Sequence, residues 1–229
     1  MIGNIALVGG EEFRPGCEKM DGALLNATGV RSPRVLVVPT AAAFENPYKA
    51  ARNGVNYFSD LGANASSLMV LDSVSADDER ILTPVDDAHI IYFTGGDPRY
   101  LLATLTESLF LNKLKYAHQQ GAILVGSSAG AMVLGSWMKL GGWVEALGIA
   151  DGFAVIPHYE DGGPTKMAKG LEDTPYSDLV ILGIDSRVCC FGLGLEWEVI
   201  GTGSVTVYSG TRHQKYHNGQ SMFLGSFKY

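Results

Sequence analysis

Ala122-Ile123-Leu124-Val125-Gly126-Ser127-Ser128-Ala129-Gly130-Ala131-Met132-Val133-Leu134 is the stretch whose reading decides the fold. Its first four residues form an apolar run of strand length, and its last six suit the start of a buried helix. Between them Ser128 stands with a glycine two residues before it and another two after, the pattern G-x-S-x-G. That spacing predicts a strand–turn–helix elbow with the serine at its apex. The turn is tight, so a side chain at Gly126 or Gly130 would press on neighbouring backbone, and the apex is strained. The amide of Ala129, at the helix start, is then aimed at an oxyanion. Taken alone, the same residues also suit a plain turn or a phosphate-binding loop.

Working outward, short apolar runs alternate with helical patterns through the first two-thirds of the chain. Ile5 to Val8, Val35 to Val38, Ser67 to Leu71, Ile90 to Phe93 and Ala122 to Val125 read as strands. Tyr48, Ala51, Val55 and Phe58 recur at helical spacing, as do Leu101, Leu102 and Leu105, then Leu111, Leu114 and His118. Such alternation predicts a mainly parallel sheet with helices on both faces, a three-layer α/β sandwich. The last third is β-rich, with runs at 179–184, 187–191, 198–200 and 205–208 between glycine turns. These are expected to extend the same sheet antiparallel, within a single domain spanning residues 1–229.

Composition narrows the functions. With 229 residues and 46% hydrophobic content the chain is long enough for one substantial core. A net charge of −7 leaves no basic surplus for nucleic acid. Cys17, Cys189 and Cys190 offer neither a disulfide framework nor metal-ligand spacing, and no His/Cys/Asp grouping suggests a metal. Val8-Gly9-Gly10-Glu11-Glu12-Phe13 lacks the spacing of a dinucleotide fingerprint. No run approaches the roughly 18–20 apolar residues of a membrane span, and no signal-peptide pattern opens the chain. The expectation is a cytoplasmic protein that needs no cofactor. The only charge run, Asp77-Asp78-Glu79-Arg80, reads as a solvated loop.

Open α/β sheets bind ligands at the carboxyl ends of their strands. Thr94-Gly95-Gly96-Asp97-Pro98 occupies one such position, where paired glycines let an amide approach a ligand, and Asp97 with Pro98 suits a helix N-terminus. Ile156-Pro157-His158-Tyr159 is another; of the five histidines His158 alone directly follows a predicted strand, where a base for the serine can be fixed. Together with Val8-Gly9-Gly10, Gly183-Ile184-Asp185 and Val199-Ile200-Gly201, these motifs resemble the peptidase E (aspartyl dipeptidase) and cyanophycinase family of serine peptidases, from about residue 5 to about residue 208. The resemblance implies a fold like that of the class I glutamine amidotransferases, with serine replacing their cysteine. It implies Ser128 as nucleophile, His158 as general base, and the amides of Gly96 and Ala129 as oxyanion hole. The implied reaction is acyl-enzyme hydrolysis of a small peptide, either an aspartyl peptide or a cyanophycin-like β-aspartyl dipeptide unit.

The third triad member departs from the pattern. Peptidase E has an aspartate about fifteen residues past the serine, where Trp143 stands here; cyanophycinases have a glutamate directly after Gly-Ile-Asp, where Ser186 stands here. Glu145, in a glycine-flanked loop near His158 in sequence, and Asp185, at a strand end, are the two candidates. For an aspartyl substrate Asp97, Arg99 and Arg187 are candidate binding residues; Glu160 and Asp161 would favour a basic group instead. Two other readings stay open at this point. One is a non-catalytic module of the same fold that binds a ligand or partner. The other is an α/β-hydrolase esterase, whose base would come late in the chain at His213 or His217. The apolar tail residues Phe223, Leu224 and Phe227 would pack as a last core strand or across a homodimer interface.

Overall fold

Strands buried on both faces build the centre of the main sheet. Strands β1 (Ile5–Val8), β2 (Arg34–Val38), β3 (Asn64–Ser67), β4 (Ile90–Phe93) and β5 (Ile123–Ser127) pair in parallel, in the order β1-β5-β4-β2-β3. Successive side chains point to opposite faces. Val35, Val37, Ile90, Tyr92, Ile123 and Val125 join a core with helices α1 (Glu18–Ala27) and α2 (Pro47–Asp60) through Met20, Leu24 and Phe58. Leu36, Val38, Ile91, Phe93 and Leu124 join the opposite core. There they meet the short helices α3 (Ser73–Ala76) and α4 (Glu79–Leu82), then α5 (Pro98–Leu105), α6 (Leu109–Gln119) and α7 (Ala129–Leu134). The structure is a computed structural model and describes residues 1–161, 174, 175, 178–210 and 212–224.

After α7 the chain turns to strands: β6 (Gly135–Lys139), β7 (Trp143–Glu145), β8 (Ala150–Ile156), β9 (Val180–Ile184), β10 (Val188–Leu193), β11 (Glu196–Gly201), β12 (Ser204–Ser209), β13 (Arg212–His217) and β14 (Ser221–Phe223). Only β10, β11 and β14 extend the main sheet, antiparallel and outward from β1. The others make a second, six-stranded sheet in the order β13-β12-β9-β8-β6-β7. The expectation that the whole last third continues one sheet is therefore corrected for 179–184 and 205–208. Every residue of β9 is buried: Val180, Leu182 and Ile184 join the large core, and Ile181 on the other face is covered by a second cluster with Tyr159 and Tyr208. Phe153 of β8 meets Trp197 of β11 edge to face across the two sheets, with centroids 5.4 Å apart.

Three local expectations also shift. The strand expected at Ser67–Leu71 lies at Asn64–Ser67, because its ladder ends at Val37↔Ser67; Leu68 and Val70 fill the core beyond it. Residues 77–80 are not a free loop, since Asp78 caps α4 and the Asp77 carboxylate accepts from the Leu109 amide. The segment holding Glu145 is strand β7, paired with β6. Leu224 is buried, Phe223 lies on the edge strand β14, and Phe227 lies outside the described residues. No helix among the described residues is long and apolar enough to cross a membrane.

The elbow depends on a close approach that only glycine permits. A Cβ at Gly126 would stand 2.4 Å from the carbonyl carbon of Gly130. Backbone cannot yield there as a flexible side chain would. Gly126→Val is expected to destabilise the fold by about 3 kcal/mol or more, read as a lower urea midpoint.

Candidate active site

Ser128 is the residue at which β5 becomes α7. Its backbone is held at φ 49° and ψ −108°, and its amide donates to Val8 O at 2.9 Å. Among the described residues, six other than glycine have positive φ. Five of them, Glu11, Phe13, Ser128, His158 and Arg187, sit in loops that meet at this point. Each such conformation costs on the order of 1–3 kcal/mol and persists where surrounding structure over-determines it.

His158 follows β8 of the second sheet, and its amide donates to Gly9 O at 2.8 Å. Its ring lies against Gly10, where a Cβ would fall 2.1 Å from the imidazole Cε1. Nε2 is 3.2 Å from Ser128 Oγ and Nδ1 is 3.0 Å from Ser186 Oγ. Thus the ring bridges two hydroxyls, and among the described residues neither ring nitrogen meets a carboxylate. Ser186 is itself fixed by its amide, which donates to Glu160 Oε2 at 2.8 Å. Burial pushes the Glu160 carboxyl up, but the hydrogen bonds from Ser186 and the nearby His158 ring outweigh it and hold the group below its ordinary value.

The two candidate acids stand elsewhere. Asp185 spends one oxygen on Ser204, accepting from its amide at 2.8 Å and its hydroxyl at 2.6 Å, and so ties β9 to β12. Glu145 is exposed on β7, opposite Trp137. Asp97 caps α5, accepting from the amides of Arg99 and Tyr100. Arg99 reaches away to the carbonyl of Leu140 at 2.7 Å. Arg187 is exposed, and its amide donates to Gly10 O. Of Asp161 only the backbone, in a short 3-10 turn, is described. His213 and His217 lie on strand β13, His213 stacked on Tyr208.

Gly96 and Ala129 keep their amides free: among the described residues neither N–H donates to a protein acceptor. Gly96, Ser128 and His158 line one end of a cleft of about 600 Å³. Its other walls were not visible in the motifs. Asn53, Asn56, Tyr57 and Asp60 come from one face of α2, opposite the buried Ala51 and Phe58. Glu11, Glu12, Phe13 and Arg14 come from the loop after β1. The signal was present in both places: a polar stripe at helical spacing, and charged residues at the carboxyl end of a strand. Arg14 is the one arginine or lysine among the described residues lining the cleft.

A family model described as peptidase family S51 matches residues 5–178. The chain belongs to peptidase family S51. It is a serine-type peptidase. A cyanophycinase of Geminocystis herdmanii (strain PCC 6308) is 25% identical over 223 residues, covering 90% of this chain and 80% of that protein. One from Synechococcus elongatus is 28% identical over 221 residues, covering 90% of this chain and 67% of that protein. Among solved structures, a peptidase from an acI-B1 Actinobacterium superposes with a TM-score of 0.86 at 30% identity, covering 97% of each chain. A putative peptidase E protein from Listeria monocytogenes EGD-e shares the fold, with a TM-score of 0.58 at 17% identity, covering 95% of this chain and 99% of that one.

Under the cleft wall of this S51 peptidase lies an acid. Asp21 is fully buried; its Oδ2 accepts from Tyr57 Oη at 2.8 Å, and its Oδ1 has no partner among the described residues. Burial raises its pKa from 3.8 to about 7, against the lowering effect of the Tyr57 hydrogen bond. The native state thus keeps a proton that the unfolded chain has lost. The penalty is absent below pH 3.8, grows as pH rises, and is complete above about 7. Asp21→Asn is expected to remove this slope and to raise stability at pH 8 by on the order of 4 kcal/mol, read from urea unfolding at several pH values.

Proposed function

We propose that this S51 peptidase hydrolyses small peptides through an acyl-enzyme on Ser128, with His158 as general base. The observation that carries the reading is His158 Nε2 at 3.2 Å from the hydroxyl of a serine held at a strained elbow. With the proton on Nδ1, His158 donates to Ser186 Oγ and its Nε2 accepts from Ser128. Ser128 Oγ attacks the peptide carbonyl carbon as its proton passes to Nε2. The oxyanion is taken by the free amides of Gly96 and Ala129. Collapse breaks the C–N bond, and His158 returns the proton to the leaving amine. Water, deprotonated by the same nitrogen, then releases the acid and restores Ser128.

Ser186 takes the orienting place where an acid is expected, and Glu160 stands behind it with a charge that favours the imidazolium. Arg14, on the cleft wall, suits a substrate carboxylate, while Glu11 and Asp60 on the same walls favour a positive group. That pairing supports an aspartyl or β-aspartyl peptide carrying a cation. A second reading, a binding module that has lost hydrolysis, is favoured by the hydroxyl of Ser186 on Nδ1, where no carboxylate stands among the described residues.

A fluorophosphonate probe with intact-mass detection separates the two. One adduct is expected on the wild type and none on Ser128→Ala or His158→Ala; a folded wild type that takes no adduct supports the binding module. Ser186→Ala is expected to keep the adduct but slow its formation about 10–100-fold, since the ring loses the partner that fixes its tautomer.

A further inference from the structure

We propose that Glu12 is a positioning residue that clamps the oxyanion loop to the nucleophile elbow; the inference rests on the catalytic reading of Ser128. Its Oε1 accepts from the Gly95 amide at 2.8 Å and its Oε2 from the Ser127 hydroxyl at 2.7 Å. These partners lie 83 and 115 residues away in sequence, one immediately before Gly96 and the other immediately before Ser128. One carboxylate therefore sets the distance between the loop that offers the first free amide and the turn that carries the nucleophile and the second. A Cβ on Gly95 would stand 3.2 Å from Glu12 Oε1 and 3.4 Å from Ser128 Cβ, so the clamp closes directly beside the reacting serine.

Several features make this a clamp rather than a substrate contact. Both carboxylate oxygens are already engaged by protein donors, and Ser127 is fully buried. Neighbouring Glu11 is different: its side chain is 52% exposed and its one ion pair, to Arg14, spans 4.0 Å. The backbone bends through positive φ on either side of Glu12, at Glu11 (59°) and Phe13 (60°). Phe13 is anchored in turn by rings of Tyr57, Phe58 and Tyr92, 5.1–5.7 Å away. The loop is thus fastened to the core one residue beyond the clamp. With the Gly95 N–H consumed, Gly96 is left as the free donor of that loop, and the peptide between them is held in one orientation. A misplacement near 1 Å costs about a hundredfold in rate.

The test uses the full chain, with Glu12→Ala, Glu12→Gln and Ser127→Ala compared with wild type. Fluorophosphonate labelling is resolved into its maximal rate and its half-saturating concentration, and amide exchange is followed at residues 94–97. Glu12→Ala is expected to lower the maximal rate about 100-fold, leave half-saturation within about threefold, and speed exchange at Gly95. Glu12→Gln, which still offers an oxygen to Gly95 and an amide to the Ser127 oxygen, is expected to recover all but about tenfold. Ser127→Ala is expected to fall between them and to add little in the Glu12→Ala background, the sign of a shared contact. A changed half-saturation with an unchanged rate would make Glu12 a binding residue and overturn the clamp. Glu12→Gln as slow as Glu12→Ala would overturn it too, by making charge the cause. Should Glu12→Ala fail to fold, the other two variants decide on the same criteria. If wild type takes no label, the catalytic reading fails separately, and Gly95 exchange in the Glu12 variants still decides whether the clamp exists.

Discussion

The close approach of α7 to the end of β5 is the constraint on which the rest of the site depends. Gly126 and Gly130 let two backbones touch, and the chain between them has no room to turn except through the left-handed region at Ser128. That conformation lifts the serine out of the ladder at the carboxyl end of the parallel strands. It also leaves the first amide of α7 without an intrahelical acceptor. The strain is carried by what lies beneath: every residue of β5 and of α7 is buried, β5 between two apolar cores and α7 within one of them. A less completely packed sheet would relax the turn, and with it the position of the hydroxyl.

Around that point the loop after β1 acts as the common support. Gly9 O receives the His158 amide, Gly10 O receives the Arg187 amide next to Ser186, and Glu12 holds both Gly95 and Ser127. Four chain segments, far apart in sequence and drawn from both sheets, are referenced to one short stretch. This accounts for the concentration of positive φ there: a loop that must offer carbonyls and a carboxylate in four directions cannot also follow regular geometry.

The carboxyl groups near the cleft show how surroundings decide the role of a residue type. Glu160, hydrogen-bonded by Ser186 and close to His158, is held ionised; Asp21, buried with only Tyr57 as partner, is held neutral up to about pH 7. Asp185, the residue whose strand-end position drew attention, is consumed in tying β9 to β12. The place beside His158 Nδ1 is filled by a hydroxyl, so orientation of the ring comes from Ser186 and negative charge from the carboxylate behind it.

Much of this was legible in the chain itself, because the deciding signals are local. Apolar runs alternating with helical periodicity gave the parallel sheet, and the glycines about Ser128 gave the elbow, since backbone sterics act over a few residues. The position of His158 just after a strand was enough to single it out, although the sequence did not show that this strand belongs to a second sheet. Asp97 and Arg99 sit beside a functional loop in sequence, yet one is spent on a helix cap and the other on a distant carbonyl. Conversely, Glu12 and the polar face of α2 carry no motif, and they become part of the site only when the sheet brings β1, β4 and β5 side by side. The sequence by itself determined the tight glycine turn at Ser128, the alternation of strands and helices through the first two-thirds of the chain, and the absence of an acid at either familiar position. Tertiary structure alone decided that Ser186 and Glu160 stand behind His158 and that Glu12 joins Gly95 to Ser127, because hydrogen bonds between residues 26 to 115 positions apart depend on sheet register and loop closure, which no local pattern encodes.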